Sequence, residues 1–107
     1  MRIIRNKWFP FGKFYAINIF GVVFAKERLN AVERNHEFIH TLQQRELLYV
    51  GFFVLYFLEW LLRFAQHRNA MKAYYALSFE REAYAHQADV DYKKYRRRYS
   101  WRLYLRS

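Results

Sequence analysis

The first apolar block along the chain is residues 14–25, in which Phe, Ile and Val predominate. Because β-branched and aromatic side chains are enriched in strands, this block predicts a β-strand. Gly21 inside it indicates a bulge or a close approach of another part of the backbone. Asn18 and Gly21 interrupt the apolar run, so we do not expect it to belong to a secretory signal peptide.

The polar residues that follow predict the start of a helix. Asn30 is followed three residues later by Glu33, which is the spacing of a capping box, and the helix is predicted to begin at about Ala31. This helix would carry the segment NHEFIHTLQQ, residues 35–44. Its two histidines make it the main candidate for chemistry.

A second apolar block, residues 47–58, contains no charged side chain, and apolar residues resume at 60–62 after Glu59. The block is shorter than the roughly 20 residues of a clean membrane span. Two interpretations stay open. The block is either a buried core helix or a segment that inserts shallowly into a membrane or contacts an apolar partner, because so small a chain cannot easily cover an apolar helix on every side.

The last third of the chain is more polar. Residues 65–70 are predicted to form a loop, and residues 71–77 a short helix or turn. Ser78 is predicted to cap a final helix that begins with FEREAYAHQ, residues 79–87. Beyond it, residues from about 93 to 107 form a basic tail with seven Lys and Arg residues and no carboxylate side chain. Such a tail is usually solvated, and it can also bind lipid phosphates.

The composition narrows the possible classes of protein. The 107 residues predict a single domain, and a net charge of +10 with 22% aromatic residues suits an anionic membrane–water interface or single-stranded nucleic acid. No nucleic-acid-binding motif is visible and residues 47–62 do not suit a soluble binder, so a basic nucleic-acid-binding protein is the least favoured class. The absence of cysteine excludes disulfides and thiolate metal sites, so a metal would need His and carboxylate ligands.

The segment HEFIH, residues 36–40, has the spacing of a metal site. Positions four apart lie on one face of a helix, so His36 and His40 can present two imidazoles to one ion. Glu37 lies about 100° further around the axis, from where it can accept a proton from a water that the metal activates. The alternative is two exposed histidines on a polar face, but the preceding strand and the predicted helix favour a metal site.

A catalytic zinc site needs a third protein ligand, and SFEREAYAHQ offers Glu80, Glu82 and His86. Glu80 and Glu82 point about 200° apart around a helix, so only one of them can face the site. Each also has a simpler interpretation: Glu80 as a first-turn carboxylate that the helix dipole favours, and Glu82 as a surface ion pair with His86. Gln43 lies on the face of the two motif histidines and is a candidate hydrogen-bond partner for a ligand.

These segments resemble the motifs of gluzincin-type metallopeptidases, which combine HExxH on one helix with a glutamate ligand on a later helix. EREAY, residues 80–84, is similar to the E-x-E-A-D block of membrane-embedded gluzincins and related antibiotic-sensing transducers, with Tyr84 in place of the aspartate. Over most of its length the chain also resembles short uncharacterised bacterial proteins with an N-H-E-x-I-H block, an aromatic apolar segment and an F-E-R-E-A-Y block.

The resemblance implies a zinc site formed by His36, His40 and Glu80, with Glu37 as general base. It also implies that residues 14–25 resemble the edge strand along which such enzymes align an extended peptide. Together with the predicted elements it indicates an α+β, mostly helical fold. In this fold an N-terminal strand or hairpin packs on the metal-binding helix, and an apolar second helix and a C-terminal helix follow.

We therefore expect a membrane-associated zinc metallopeptidase that hydrolyses peptide bonds at the cytoplasmic face of a membrane, with Zn²⁺ as cofactor. Its partners would be a peptide or protein substrate and an anionic membrane surface. A cation or one of Tyr74, Tyr75 and Tyr84 is the candidate for stabilising the oxyanion. The alternative is a non-enzymatic peripheral membrane protein whose metal site is structural or degenerate. The sequence alone sets neither the substrate nor the oligomeric state.

Overall fold

Five α-helices follow a small sheet in the computed structural model, which describes residues 2–6, 16–26 and 28–105. The described elements are strands β1 (Arg2–Arg5), β2 (Ala16–Ile19) and β3 (Val22–Ala25), helices α1 (Ala31–Glu46), α2 (Val50–His67), α3 (Ala70–Ala76), α4 (Ser78–His86) and α5 (Tyr92–Tyr95), and a 3₁₀ helix (Ser100–Tyr104). The prediction of a mostly helical α+β fold is confirmed.

The described part of the apolar block 14–25 forms a β-hairpin and not one strand. β2 and β3 pair antiparallel, and the chain reverses at Phe20 and Gly21, whose φ angles are 54° and 83°. Two successive positive φ angles fit the two-residue turns that match the twist of a hairpin, and glycine adopts them without steric cost. Gly21 therefore lies in the turn and not in a bulge, and its N–H donates to Gln44 Oε1 of α1 at 3.2 Å. Residues 14 and 15 lie outside the described residues.

Polar contacts hold the hairpin against α1. Nδ2 of the buried Asn18 donates to the Glu37 carbonyl and to Thr41 Oγ1, both at 2.8 Å, and Gln44 Nε2 donates to the Asn18 carbonyl at 3.0 Å. β1, which the sequence did not predict, pairs parallel with β3. The strand order is β1-β3-β2, so the outer edge of β2 is unpaired within the described part of the chain. This edge strand is thus fixed beside the helix that carries Glu37.

The capping box at the start of α1 is present as predicted. The Asn30 side chain accepts from the Glu33 N–H at 2.8 Å, and the Glu33 carboxylate accepts from the Asn30 N–H at 2.9 Å. Helix α2 follows α1 at an angle of 109°. Among the described residues, no single helix is both long and apolar enough to cross a membrane; α1 and α2 meet that requirement only when taken together as this bent pair.

Helix α2 contains residues 50–58 of the second apolar block, and it is not a buried core helix. Of its 18 residues only Phe52 and Arg63 are buried, whereas most of its Leu, Val and Phe side chains are exposed. The helix also continues through residues 65–67, which were predicted to be a loop, and it ends where Arg68 adopts a left-handed conformation. Asn69 then caps α3 by accepting from two backbone N–H groups.

Ser78 begins α4 but does not cap it. The N-cap position is Leu77, and the Ser78 N–H and hydroxyl both donate to the Glu59 carboxylate of α2, at 2.9 and 2.7 Å. A neighbouring helix therefore supplies the acceptor that Ser78 was expected to supply at this helix end.

The described part of the basic C-terminal segment, residues 93–105, packs on α4 and is not simply solvated; residues 106 and 107 lie outside the described residues. Trp101 of the 3₁₀ helix is buried against Phe79, with ring centroids 4.7 Å apart, and Phe52 completes this cluster. Ser100 is buried as well, and the Arg96 side chain is only 4% exposed. This segment therefore covers α4, the helix that carries the predicted glutamate ligand.

Candidate metal centre

Helices α1 and α4 bring three potential metal ligands together. His40 Nε2 lies 3.1 Å from His36 Nε2 and 3.1 Å from Glu80 Oε1, and His36 Nε2 lies 3.3 Å from the same Glu80 oxygen. All three side chains are buried. The four-residue spacing on α1 places both imidazoles on one face, as predicted, and α4 supplies the carboxylate that meets them. This His-His-Glu group can hold a metal ion.

The distances between the three ligand atoms fit tetrahedral coordination of a metal ion. Zinc binds imidazole nitrogen and carboxylate oxygen at about 2.0–2.2 Å, so two ligands at a tetrahedral angle are roughly 3.3–3.5 Å apart. The observed separations of 3.1 to 3.3 Å need little adjustment to reach that spacing. Three protein ligands with room for water at a fourth position are typical of catalytic zinc sites, although nitrogen and oxygen donors also suit other divalent ions.

Two glutamines orient the histidine rings. His40 Nδ1 donates to Gln43 Oε1 at 2.8 Å, as predicted for Gln43, and His36 Nδ1 donates to Gln87 Oε1 at 2.9 Å. The Gln43 amide cannot be turned the other way, because its Nε2 donates to the Glu82 carboxylate at 2.9 Å and a carboxylate only accepts. The Nδ1 of His40 therefore carries a hydrogen, and the Nε2 atoms of both histidines face the centre.

A phenol from α2 orients Glu80. Tyr56 Oη donates to Glu80 Oε2 at 2.7 Å, and the other carboxylate oxygen is the one that faces the histidines. Sequence analysis missed Tyr56, because it lies in an apolar block where an aromatic residue indicates only packing. A signal was available, since Tyr56 shares one arc of the helix with Glu59 and Arg63, the charged residues of α2.

Glu82 points away from the centre into a separate ion pair. Arg96 Nε and Nη2 donate to its two carboxylate oxygens at 2.5 and 3.0 Å, and Arg96 Nη2 also donates to Glu46 at 2.8 Å. The alternative interpretation, a surface pair of Glu82 with His86, is wrong, because Glu82 is fully buried and its cationic partner is Arg96 of the basic C-terminal segment. Of the two glutamates, Glu80 is therefore the one that the structure places beside the histidines.

Asn35, directly before the motif, ties α1 to the end of α4. Its Nδ2 lies 2.8 Å from the carbonyl oxygen of Gln87 and 3.2 Å from that of His86. These contacts hold the backbone of Gln87, whose side chain accepts from His36. Sequence analysis missed Asn35, since its partners are 51 and 52 residues away. The His86 ring, the remaining candidate ligand, stacks on Tyr92 and takes no part in the centre.

The charges of the metal-free centre depend on one another. Burial by itself would lower the pKa of His40, but the adjacent Glu80 carboxylate outweighs burial and raises this pKa to about 9. Burial by itself would raise the pKa of Glu80, but the charge of His40 and hydrogen bonds from both histidines hold it well below its ordinary value. At neutral pH the centre therefore contains an imidazolium beside a carboxylate, and a metal ion that binds must displace the His40 proton.

Glu37 lies where two cavities meet. A cavity of about 270 Å³ is lined in part by His36, and a second of about 400 Å³ in part by His40. Ala16 of β2, Glu37 and Tyr74 line both. Burial raises the pKa of Glu37 above its ordinary value, although the charges of the two histidines act against it. A raised pKa suits a carboxylate that takes up and releases a proton near neutral pH.

Tyr74 is the best placed of the three tyrosines considered as oxyanion donors. It lines both cavities, whereas Tyr75 and Tyr84 line only the smaller one. Burial raises the pKa of Tyr74 far above its ordinary value, so its hydroxyl keeps its proton; this hydroxyl is hydrogen-bonded to Tyr84. Tyr84, at the position where the resembling enzymes have aspartate, packs edge-on against His36 with ring centroids 4.4 Å apart.

No protein-family model, curated protein or solved structure matches this chain. The geometry provides a buried His36–His40–Glu80 group that can hold a metal ion. The identity of the ion, peptidase activity and membrane association stay predictions.

Proposed function

We propose that the protein is a zinc metallopeptidase, in which His36, His40 and Glu80 hold the ion and Glu37 is the general base. The observation that carries this proposal is the buried His-His-Glu group next to a buried carboxylate at the junction of two cavities. When bound, zinc supplies Lewis-acid chemistry, since it lowers the pKa of water and polarises a carbonyl group.

The chain's own residues have distinct roles in the proposed reaction. Glu37 takes the proton of the attacking water and passes it to the leaving amine. Tyr74 donates a hydrogen bond to the substrate carbonyl oxygen as negative charge develops on it. Gln43 and Gln87 hold the histidine rings so that each Nε2 faces the ion.

The proposed substrate is an extended polypeptide that pairs with the outer edge of β2. An unpaired strand edge presents N–H and C=O groups to which another chain can add as a further strand. Because Ala16 of β2 lines both cavities, a strand added there would pass Glu37. The larger cavity is walled by aromatic side chains of α2, which favours a large apolar side chain in the substrate.

Metal binding is tested by elemental analysis of protein purified without added chelator. The wild type is expected to contain about one zinc ion per chain, and His36→Ala is expected to lose it, because two remaining ligands bind zinc weakly. His86→Ala is the matched control: it removes a histidine of α4 that lies outside the centre. Equal, near-zero zinc in wild type and His36→Ala, even after incubation with zinc, would refute the site.

The role of Glu37 is tested with Glu37→Gln, which keeps the shape of the side chain but removes the base. This variant is expected to retain zinc and to lose peptidase activity on a panel of unfolded and membrane-bound peptides by about a hundredfold or more. Asp91→Asn, which removes an exposed carboxylate, is the control and is expected to keep the activity of the wild type. Equal turnover in Glu37→Gln would remove Glu37 from the mechanism, and a zinc-loaded wild type without turnover would support the structural-site alternative.

A further inference from the structure

Helix α2 carries an apolar face that no described part of the chain covers. We define the outward face of α2 as six side chains, each between 40% and 58% exposed: Val54, Phe57, Leu58, Leu61, Leu62 and Phe64. At 100° per residue these positions occupy an arc of about 160°, into which no polar or charged side chain of α2 falls. The helix has 18 residues and is therefore about 27 Å long.

The charged side chains of α2 are directed into the protein. The Glu59 carboxylate accepts from the N–H and hydroxyl of Ser78 at 2.9 and 2.7 Å. The buried Arg63 guanidinium donates to the Leu105 carbonyl and to Gln66. A surface helix of a water-soluble protein has the opposite arrangement, with its apolar stripe inward and its charges outward. An apolar face of this length on one exposed helix indicates an interaction surface.

We propose that the outward face of α2 docks onto an anionic lipid bilayer and lies in the boundary between head groups and acyl chains. The net charge of +10 attracts the chain to anionic phospholipid, and the same charge repels a second copy of the chain. A helix that lies in the membrane plane keeps Glu59 and Arg63 on its protein side and away from hydrocarbon, whereas a spanning helix would carry both of them into it.

The docked orientation also places the larger cavity at the membrane surface. Phe57 belongs to the outward face and also lines the larger cavity, together with Glu37 and His40. The larger cavity therefore lies beside the surface that contacts lipid. This orientation favours substrates that are polypeptide segments lying at a membrane surface, an inference that rests on the proposed peptidase function. Lipid docking itself requires neither metal nor activity.

The first experiment measures binding of metal-free and zinc-loaded full-length protein to vesicles by co-sedimentation. Vesicles of phosphatidylcholine with phosphatidylglycerol are compared with vesicles of phosphatidylcholine alone, at low and physiological salt. The wild type is expected to bind the anionic vesicles with or without zinc, and more weakly at physiological salt, where charges are screened beyond about 8 Å. A protein that stays in the supernatant at low salt would overturn docking but leave the peptidase proposal standing.

The double variant Val54→Glu/Leu61→Glu tests the outward face. It is expected to lower the partition coefficient about tenfold or more, because it removes two inserted apolar side chains and adds two charges that lipid excludes. The matched control is Val90→Glu/Leu103→Glu, which adds the same charge at exposed apolar positions outside α2. Circular dichroism checks that both variants fold. Equal loss in the two variants would mean that charge alone drives binding, and it would overturn the assignment of this face.

A single label gives an independent measurement that does not depend on the glutamate variants. Because the chain has no cysteine, Leu58→Cys provides one attachment point for an environment-sensitive fluorophore. Its emission is expected to shift to shorter wavelength when anionic vesicles are added, and the emission of a label at Leu103→Cys is expected to change less. A shift at Leu58→Cys that occurs without lipid and grows with protein concentration would show that a second copy occupies the face, and it would overturn the lipid assignment.

Discussion

Replacing Arg96 with methionine tests how far the candidate centre depends on the basic C-terminal segment. Arg96 donates to both carboxylate oxygens of Glu82 and to Glu46. Glu82 in turn accepts from Gln43, whose other end accepts from His40. The change therefore removes the cation at the end of a chain of contacts that reaches a proposed metal ligand.

The size of the effect follows from burial. Glu82 is 0% exposed and the Arg96 side chain is 4% exposed, so water cannot replace the lost partner. Breaking a buried ion pair by removing one member costs about 3–5 kcal/mol. A domain of this length has a free energy of unfolding of roughly 5–16 kcal/mol. We therefore expect Arg96→Met to lose a large part of the stability and to lower the midpoint of thermal unfolding by on the order of 20 °C.

The loss should depend on pH in a defined direction. Burial alone would raise the pKa of Glu82, but hydrogen bonds from Arg96 and Gln43 hold it below its ordinary value of 4.5. Because the folded-state pKa is the lower one, the pair stabilises the fold fully above about pH 4.5 and loses this effect as the pH falls through the folded-state pKa. The difference between wild type and Arg96→Met should be largest at neutral pH and should narrow in acid.

The assay is urea-induced unfolding followed by circular dichroism, at neutral and at acidic pH. Arg97→Met is the control, because it removes the same charge from an exposed neighbouring position, and it is expected to stay within about 0.5 kcal/mol of the wild type. Arg96→Met should also weaken zinc binding about 10–100-fold through Gln43. A free energy of unfolding for Arg96→Met within about 0.5 kcal/mol of the wild type at neutral pH would refute the reasoning.

Two further measurements address the centre itself. Tyr56→Phe removes the hydroxyl that donates to Glu80, so we expect zinc affinity, measured by competition with a chelating dye, to fall about 10–100-fold. The control Tyr95→Phe on α5 should bind zinc as the wild type does. Unchanged affinity in Tyr56→Phe would show that the phenol does not orient Glu80. Zinc should also raise the midpoint of thermal unfolding, because an ion at about 100 times its Kd that binds only the folded chain stabilises it by about 2.7 kcal/mol. This shift should be absent in His36→Ala, and an equal shift there would place the ion elsewhere.

Local rules predicted the parts of this protein that depend on neighbours in sequence. The spacing of Asn30 and Glu33 specifies a capping box, and the spacing of His36 and His40 specifies one helical face. Gln43 lies one turn beyond His40, so its hydrogen bond to that ring was also predictable. In each case the distance along the chain fixes the distance in space.

Turn geometry and contacts between distant segments account for the errors. The hairpin reverses at Phe20 and Gly21, and a phenylalanine at positive φ is not a recognised turn signal. Ser78, which was expected to cap α4, instead donates to Glu59 of α2, 19 positions away. Arg96 looked like one cation in a solvated tail, but it donates hydrogen bonds to two carboxylates on different helices. None of these pairings follows from periodicity, because each depends on how the elements pack.

The distribution of buried and exposed side chains relates both proposals, the metal centre and the lipid-docking face, to the stability of the fold. Among the described residues, buried polar or charged side chains outnumber buried apolar ones, thirteen to eleven. Burying polar groups costs free energy unless they are paired, and apolar burial is the main favourable term in folding. Here the candidate centre takes up much of the interior, while large apolar side chains lie outside on α2. A metal ion would replace the hydrogen bonds that pair the buried ligand atoms with stronger coordination bonds. A bilayer would remove the exposed apolar face from water, so each would stabilise a fold whose own apolar core is small.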